Sequence, residues 1–412
     1  VFSSIPPSLI TMKKYLIILI LILASVLRLW NLAGYPMGLN DDEAALGYNA
    51  YSLLTTGRDE HGYVWPINLE SFGDFKPAGY AYMLIPFIKI LGLTELAVRM
   101  PSALFGILVV LGIYLLCKEI FEDSNIPEIT AFMLANSPWH LHFSRGGWEV
   151  NVSTTLLVIG MWLLVKWTKS QKLHYLLLAT CHLLLSMYIY QSTRIIAPLL
   201  GLAFLVLYYK KFLGNIKQSL TAGITAVILL LPLVWSIVSS GAASRFAGVG
   251  WLADLGPASR ATELRGQHNN RIFHNKPFLY TLRLVQNYLD HWDGNFLFIN
   301  GDVIERNKVP ETGLFYLTDA ILFFIGVYFM RSKLIWFWFF IAPLAAAMTF
   351  QTPHALRSHN MVIPMTIIIA VGLSKLLNKK VFLLLFTIVY GWQFARYLHE
   401  YYVHYSYQYP TA

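Results

Sequence analysis

The stretch that decides the fold is "MKKYLIILILILAS" (residues 12–25), and it is soon followed by "GLNDDEAALGYNAY" (residues 38–51). A basic pair before an unbroken apolar run is typical of a membrane-inserted helix. No small-x-small cleavage site follows, so we expect an uncleaved anchor that starts naturally at Met12. The second segment places three consecutive acids, Asp41, Asp42 and Glu43, just beyond that anchor. This carboxylate cluster at the membrane surface is the first candidate for chemistry.

Composition extends the membrane interpretation to the whole chain. The 412 residues are 56% hydrophobic and 13% charged, whereas soluble domains average about 25% charged residues. Long apolar runs favour helices over a transmembrane barrel, so we predict an all-α polytopic membrane protein with one integral membrane domain over 1–412. The net charge of +9 indicates topology, with membrane lipids and no nucleic acid as partners. Cys117 and Cys181 lie in apolar runs and are interpreted as core thiols.

Charge asymmetry predicts the orientation of eleven spans. If the apolar run 77–92 lies in the interface, Lys-rich loops all fall on one side, which fits the positive-inside rule. The N-terminus is then cytoplasmic and the C-terminus outside, in what we expect is a prokaryotic plasma membrane. Two large outer segments follow, 32–97 with juxtamembrane helices and 240–312, before the C-terminal spans in 313–412. The predicted spans are 15–31, 99–118, 126–142, 148–167, 173–190, 195–209, 218–239, 313–330, 334–350, 360–377 and 380–398.

This topology brings polar residues of both signs to the outer face. Carboxylates can accept a proton from a hydroxyl group, and Lys or Arg can hold a phosphate and stabilise its leaving charge. A substrate with an anionic phosphate and a reacting hydroxyl fits such a site, and a lipid phosphate lies at this depth. The residues concerned are the three acids with Lys76, Arg145, Glu149, Arg194, His354, Arg357 and His359.

Structural explanations stay open for several of these residues. Asp41 or Asp42 can serve as the N-cap of an amphipathic helix. Lys76, which precedes Pro77, can extend to the headgroups. Arg145 and Glu149 have the spacing of a helical ion pair. His354 and His359 flank Arg357 at a spacing that suits a metal ion, but no acidic partner is nearby in sequence; we assign no metal ligand.

The sequence resembles the polyprenyl-phosphate-sugar-dependent glycosyltransferases of the GT-C fold, which include protein O-mannosyltransferases and the lipid A aminoarabinose transferase. The matching motifs occur in the family's order and all fall on the predicted outer face. "DE" (42–43) opens one juxtamembrane helix and "FKPAGY" (75–80) a second one. The others are "RMPSALFG" (99–106), "SPWHLHFSRGGWEVN" (137–151), "YQSTRIIAPL" (190–199), "NYLDHWDGNFLFINGD" (287–302) and "PHALRSHNMVIP" (353–364).

The resemblance implies roles for individual residues. Asp42 matches the acid proposed as general base, and Glu43 beside it orients Asp42 or caps its helix. Lys76 matches a lysine that contacts the carrier phosphate. Arg145 and Glu149 match a serine–arginine pattern and a following acid, and Arg245 and Arg357 match further phosphate or sugar contacts. Because Asp41 makes the cluster a triple acid, the base can be displaced by one position.

The function implied is transfer of a sugar from a polyprenyl-phosphate donor to an acceptor hydroxyl, with inversion at the anomeric carbon. The acceptor, whether lipid, glycan or protein, is left open, no cofactor is assigned, and a divalent metal ion stays open. The alternative is a transporter or flippase of a lipid-linked or anionic solute, which would place charges near the bilayer midplane in two related halves. A metal-dependent oligosaccharyltransferase of the same fold and a non-enzymatic scaffold are further alternatives.

Overall fold

The computed structural model describes residues 7–71, 73–122, 124–239 and 248–409. These residues form helices and one two-stranded antiparallel hairpin, β1 (Asn68–Ser71) and β2 (Asp74–Pro77). The helices are α1 (Pro7–Leu29), α2 (Asp41–Thr56), α3 (Gly79–Leu91), α4 (Glu95–Ile120), α5 (Ile126–Asn136), α6 (Pro138–Arg145), α7 (Glu149–Ser170), α8 (Leu173–Ile189), α9 (Thr193–Gly214), α10 (Ile216–Ser239), α11 (Gly256–Gln267), α12 (Lys276–Asp290), α13 (Leu317–Phe329), α14 (Lys333–Ile341), α15 (Leu344–Ala347), α16 (Val362–Leu376), α17 (Lys380–His399) and α18 (Tyr405–Gln408).

The helices have the lengths and composition of an integral membrane protein. Within the described residues, six are long and apolar enough to cross a membrane and five shorter ones are apolar. This confirms the all-α membrane architecture, while the number of eleven spans stays a prediction. The six are Glu95–Ile120, Glu149–Ser170, Thr193–Gly214, Ile216–Ser239, His359–Leu376 and Lys380–Gln408; the five are Tyr15–Leu29, Gly79–Leu91, Leu173–Ile189, Leu317–Phe329 and Lys333–Ala347.

The predicted continuous span 126–142 is wrong, because the chain breaks at Ser137. Ser137 is extended, as the residue before a proline prefers to be, and Pro138 starts the new helix α6. The Ser137 side chain caps α6 by accepting from the backbone N–H of His140. Helix α6 ends at Arg145, and a separate helix, α7, begins at Glu149.

The structure of the segment after α1 agrees in part with the prediction. The helices α2 and α3 pack on each other and on α4, but "FKPAGY" does not begin a helix directly. Its first three residues belong to β2, which pairs with β1 in the register Leu69↔Lys76, and α3 starts only at Gly79. The hairpin closes at Gly73, whose φ of 70° favours glycine. The 13 residues of α3 span about 20 Å, less than the hydrocarbon core of a bilayer.

The core is a packed bundle in which α4, α5, α7 and α16 have the most buried faces. Close approach is clearest between α13 and α16. A Cβ added at Gly326 would lie 1.9 Å from the carbonyl oxygen of Ile368, and one added at Gly372 would lie 2.0 Å from that of Leu322. Small residues allow such backbone contact between membrane helices. Both cysteines are free thiols; Cys117 is buried in the core, as predicted, whereas Cys181 is only half-buried.

Candidate active site

Asp42 lies in the first turn of α2, with its carboxylate between two cationic side chains. Asn40 caps this helix, so the alternative that Asp41 or Asp42 is the N-cap is wrong. The Oδ1 atom of Asp42 accepts a hydrogen bond from the Lys76 ammonium, and Oδ2 lies 3.1 Å from Nη1 of Arg306. Each carboxylate oxygen therefore has its own cationic partner.

The β hairpin places Lys76 beside Asp42. Residues two apart on a strand share a face, and Asp74 and Lys76 accordingly both line the same cavity. The carbonyl group of Phe75, between them, accepts a hydrogen bond from the side chain of Gln191, which ties the hairpin to the chain just before α9. The pairing of β2 with β1 and the contact with Gln191 together hold Lys76 in place.

Arg306 comes from the large segment between α10 and α13, on a short 3₁₀ turn, Glu305–Asn307. Its guanidinium carbon lies 5.9 Å from the centre of the Trp148 ring, within cation–π range. Asp302 orders this turn, because its carboxylate accepts from the backbone N–H of Ile304 at 3.0 Å and from the Asn307 amide at 2.9 Å. Sequence reasoning did not select Arg306, although it lies a few residues after a quoted motif.

A cavity of about 610 Å³ opens beside these residues. We call Lys76, Arg194, Arg306 and Arg357 the cavity cations, since all four line it. They face three lining acids, Asp42, Asp74 and Glu149, together with His354 and polar groups such as Tyr190, Gln191 and Thr349. With more cations than acids in its walls, the cavity suits a ligand that carries negative charge.

Hydrogen bonds hold two of the cavity cations in place. Nη2 of Arg194 donates to Oδ1 of Asn68 at 2.8 Å, and Nη1 of Arg357 donates to Oγ1 of Thr349 at 2.9 Å. Asn68 belongs to β1, so the hairpin orients Arg194 as well as carrying Lys76. The two guanidinium groups thus enter the cavity from α9 and from the segment before α16.

Burial keeps the histidine of the cavity wall neutral. The pKa of His354 is lowered well below its ordinary value by desolvation first, then by the positive charge of Arg357 and by His291 and Arg306. Desolvation raises the pKa of Asp302, whose Oδ2 accepts from the backbone N–H of Ala355 at 2.6 Å. A neutral imidazole can donate and accept hydrogen bonds with the hydroxyl groups of a ligand without adding charge.

The structure brings most of the sequence-predicted residues to one place. Asp42, Lys76, Glu149, Arg194, His354 and Arg357 all line the cavity. Asp41 is exposed in the first turn of α2 and is not among the lining residues. Glu43 and Arg145 are buried elsewhere, and Arg245 lies outside the described residues.

Glu43 anchors α2 instead of facing the cavity. Its Oε1 atom accepts from Nε of Arg99 at 3.0 Å and from the backbone N–H of Gly147 at 2.6 Å. Its Oε2 atom accepts from the backbone N–H of Asn40 at 3.1 Å, which completes a capping box. The interpretation that Glu43 caps its helix is confirmed, and its side chain is too enclosed to meet a substrate.

Arg145 does not line the cavity, because its guanidinium group is occupied by the end of α1. It donates to the carbonyl oxygens of Leu27 and Trp30, both at 2.8 Å, and stacks against the rings of Tyr401 and Tyr402. The helical pairing of Arg145 with Glu149 is also wrong, since the chain leaves the helix after Arg145. The structure therefore gives Arg145 a structural position.

Metal ligands are not grouped in the described residues. Nowhere in that part of the chain do three or more His, Cys, Asp or Glu side chains lie close enough together to hold a metal ion. The histidines around Arg357 point to different partners: Nδ1 of His359 lies 3.1 Å from the Thr154 hydroxyl, while His354 faces Asp302 and Asn307.

Comparisons with known proteins identify the fold of this chain. Residues 75–235 match the family described as dolichyl-phosphate-mannose-protein mannosyltransferase. No match is found among curated proteins. ArnT from Cupriavidus metallidurans, solved bound to undecaprenyl phosphate, aligns over 88% of this chain and 60% of its own, with 12% identity and a TM-score of 0.52.

Two structures of the Archaeoglobus fulgidus oligosaccharyltransferase give a similar result. The complex with Zn and sulfate aligns over 95% of this chain and 52% of its own, with 12% identity and a TM-score of 0.55. The complex of the same archaeal enzyme, AglB, with an inhibitory peptide and a dolichol-phosphate covers 89% and 51%, with 16% identity and a TM-score of 0.50. This chain thus spans about half to three fifths of the length of these proteins. At this identity the likeness establishes the fold, and it confirms the predicted GT-C fold.

Proposed function

We propose that this protein transfers a sugar from a polyprenyl-phosphate-linked donor to a hydroxyl group of an acceptor at the outer face of the membrane. The observation that carries the proposal is the position of Asp42 between Lys76 and Arg306 in the wall of a cationic cavity. Such a site combines a proton acceptor with phosphate-binding groups, which are the two requirements of the reaction.

The donor phosphate binds to Lys76 and Arg306, and Arg194 and Arg357 add positive charge to the wall of the same cavity. Arginine binds phosphate oxygens through paired N–H groups, and lysine does so as a compact charge. Both Lys76 and Arg306 contact Asp42 in this structure, so a bound phosphate shares them with the carboxylate. As the bond between phosphate and sugar breaks, they stabilise the negative charge of the departing polyprenyl phosphate.

Asp42 accepts the proton of the acceptor hydroxyl. The hydroxyl oxygen forms a bond to the anomeric carbon, on the face opposite the phosphate, while the bond from that carbon to the phosphate oxygen breaks. The configuration at the anomeric carbon is inverted, and polyprenyl phosphate and the glycosylated acceptor are the products. Glu149 and His354 line the same cavity, which supports a role for both in binding sugar hydroxyls. Holding both substrates at one site supplies part of the rate through proximity.

The outer location is supported by the positive-inside distribution of Lys and Arg in the sequence. The cavity is built from the ends of helices and the segments that connect them, α2, the β hairpin, the start of α9 and the segment before α16. A lipid-linked donor keeps its tail in the bilayer and its phosphate at the surface, which is where such segments lie.

The test is an assay of polyprenyl phosphate release in detergent with several polyprenyl-phosphate sugars as donors. Asp42→Asn removes the proton acceptor and should slow release on the order of 10²–10⁴-fold. Asp41→Asn is the matched control, since Asp41 is the adjacent acid but does not line the cavity; its rate should stay near that of the native chain.

Full activity of a correctly folded Asp42→Asn protein would refute the role of Asp42. If the native chain released no polyprenyl phosphate from any donor, with or without cell extract as an acceptor source, the transferase proposal itself would fail. Uptake of the intact donor by vesicles would then support the transporter alternative.

A further inference from the structure

The helix α12 presents an unusual apolar face. Phe278, Leu282, Val285 and Leu289 follow each other at helical spacing and are 41%, 48%, 49% and 58% exposed, respectively. Side chains at this spacing form one stripe along a helix. Just before the helix, Ile272 and Phe273 are exposed as well. A continuous apolar stripe of this length marks a surface that meets an apolar partner.

The opposite face of α12 is held firmly by polar contacts. The amide of Asn287, which is fully buried, donates to the carbonyl oxygens of Ala347 and Thr349 at 3.1 and 2.8 Å. Nε of Arg283 lies 3.4 Å from the Asp254 carboxylate, and the Tyr280 hydroxyl donates to the Asp254 carbonyl group. The exposed stripe therefore belongs to a helix whose rotation about its axis is fixed.

The end of α12 packs against the apolar helix α14. Beyond the end of α12, the ring of Trp292 stacks on Phe339 with centroids 4.2 Å apart, and the Tyr288 hydroxyl donates to the carbonyl of Phe340 at 3.0 Å. Phe340 is 55% exposed on the apolar segment Lys333–Ala347. The last turn of α12 thus lies against the end of the apolar helix α14.

We propose that α12 lies in the membrane interface, with its apolar stripe among the acyl chains of the phospholipid leaflet next to the cavity. Amphipathic helices with basic polar flanks bind bilayers in this way. Residues 248–290 contain five basic and three acidic side chains, so anionic headgroups are favoured. The contact is distinct from the donor's binding site, since the stripe residues do not line the cavity.

This contact fixes one wall of the cavity relative to the bilayer. Asn287 binds the carbonyl of Thr349, and the Thr349 hydroxyl in turn accepts from the cavity cation Arg357. Anchoring α12 in the leaflet therefore holds Thr349 and Arg357 at a set depth. A donor whose tail is in the same leaflet meets them at that depth.

The contact is tested by fluorescence in proteoliposomes of phosphatidylcholine and phosphatidylglycerol. With Cys181 replaced by serine, a fluorophore is attached at Leu282→Cys on the stripe or, as the control, at Ser259→Cys on the polar helix α11. Brominated lipids should quench the label at position 282 several-fold more strongly than the label at 259, and aqueous iodide should show the reverse order. Cys117 is buried and is left in place.

Two outcomes would overturn the proposal. Equal quenching of both labels by iodide would mean that the stripe is in water. Shielding of the 282 label from both quenchers would mean that a protein surface, such as a second copy of the chain, covers it. Neither outcome depends on activity, so this test and the test of the proposed function fail separately.

A second measurement uses the double variant Leu282→Gln/Val285→Gln. Release of polyprenyl phosphate should fall several-fold in vesicles and stay unchanged in detergent, where no leaflet sets the depth of α12. This part rests on the proposed function. Equal rates for variant and native chains in vesicles would contradict a role of the stripe in positioning the cavity wall.

Discussion

Two groups of cationic side chains in this protein have opposite surroundings. Arg28, Arg99 and Arg145, which we call the scaffold arginines, are at most 1% exposed. The cavity cations, Lys76, Arg194, Arg306 and Arg357, line an open space of about 610 Å³. Members of both groups come from the quoted motifs, so motif membership alone does not separate the groups; these residues are Arg99 and Arg145 in the first group and Lys76, Arg194 and Arg357 in the second.

The scaffold arginines act on the protein's own backbone. Arg28 donates to the carbonyl oxygen of Ala135 at 3.1 Å, Arg99 to that of Pro36 at 2.8 Å and Arg145 to that of Leu27 at 2.8 Å. Hydrogen bonds from charged donors are worth more than neutral ones. Together these bonds join α1 and the chain that follows it to α4, α5 and α6. The cavity cations direct charge toward a ligand instead.

Neighbouring acids show the same division, and the largest predicted effect tests it. Glu43→Gln removes the charge that the buried Arg99 pairs with, and breaking a buried pair costs about 3–5 kcal/mol. The variant should melt far below the native protein in detergent. Asp42→Asn, at a partly exposed position beside two cations, should melt close to the native temperature while losing activity. Equal loss of stability in both variants would erase the distinction.

The next prediction compares one member of each cationic group. Arg145→Met leaves several carbonyl groups at the end of α1 without a charged donor, and each unpaired group costs about 1–3 kcal/mol. Reduced thermal stability, with little change in the donor KM of the folded fraction, is the expected result.

Arg306→Met should have the opposite effect, a higher donor KM with little change in thermal stability. Loss of a charge-assisted bond to phosphate costs about 1.5–3 kcal/mol, equivalent to a rise in donor KM of roughly 10–100-fold. Arg260→Met is the matched control, because Arg260 pairs with Glu263 on α11 and does not line the cavity. An unchanged donor KM in Arg306→Met would remove Arg306 from the phosphate site.

The sequence was sufficient to predict features that depend on composition and motifs, but not a contact between residues far apart in the chain. Composition and apolar runs were sufficient for the membrane architecture, and motif order was sufficient to place Asp42 and Lys76 together. Arg306 was missed because its contact with Asp42 joins residues far apart in the chain, through the turn that Asp302 orders. No local pattern distinguishes that arginine from others in the same segment.

Errors came where a local break decides the direction of a side chain. Arg145 and Glu149 have the spacing of a helical pair, but the extended backbone at Gly146 separates α6 from α7. Arg145 therefore turns to the end of α1 while Glu149 lines the cavity. Likewise, the sequence predicts that Lys76 lies at the start of a helix, whereas the pairing of β2 with β1 shows that it belongs to a strand.

The smallest predicted effect concerns the buried histidines behind the cavity wall. Nε2 of His291 accepts a hydrogen bond from the backbone N–H of His354. Burial lowers the pKa of His291 from 6.5 to about 4. Between these two pH values the unfolded chain binds the proton and the folded chain does not. Stability should therefore fall as the pH decreases from 6.5 toward 4, and should not depend on His291 above that window.

His291→Gln, whose amide oxygen can still accept the His354 N–H, should lessen this loss. One pH unit below 6.5, the expected difference in the free energy of unfolding is about 1 kcal/mol, measured as melting temperature against pH in detergent. Asp302 contributes with the opposite sign, because its raised pKa lets the folded state keep a proton longer as the pH rises. The control is His268→Gln, since His268 is an exposed histidine in the same segment between α10 and α13. A pH profile of His291→Gln that parallels the native one would show that His291 does not carry the acid sensitivity.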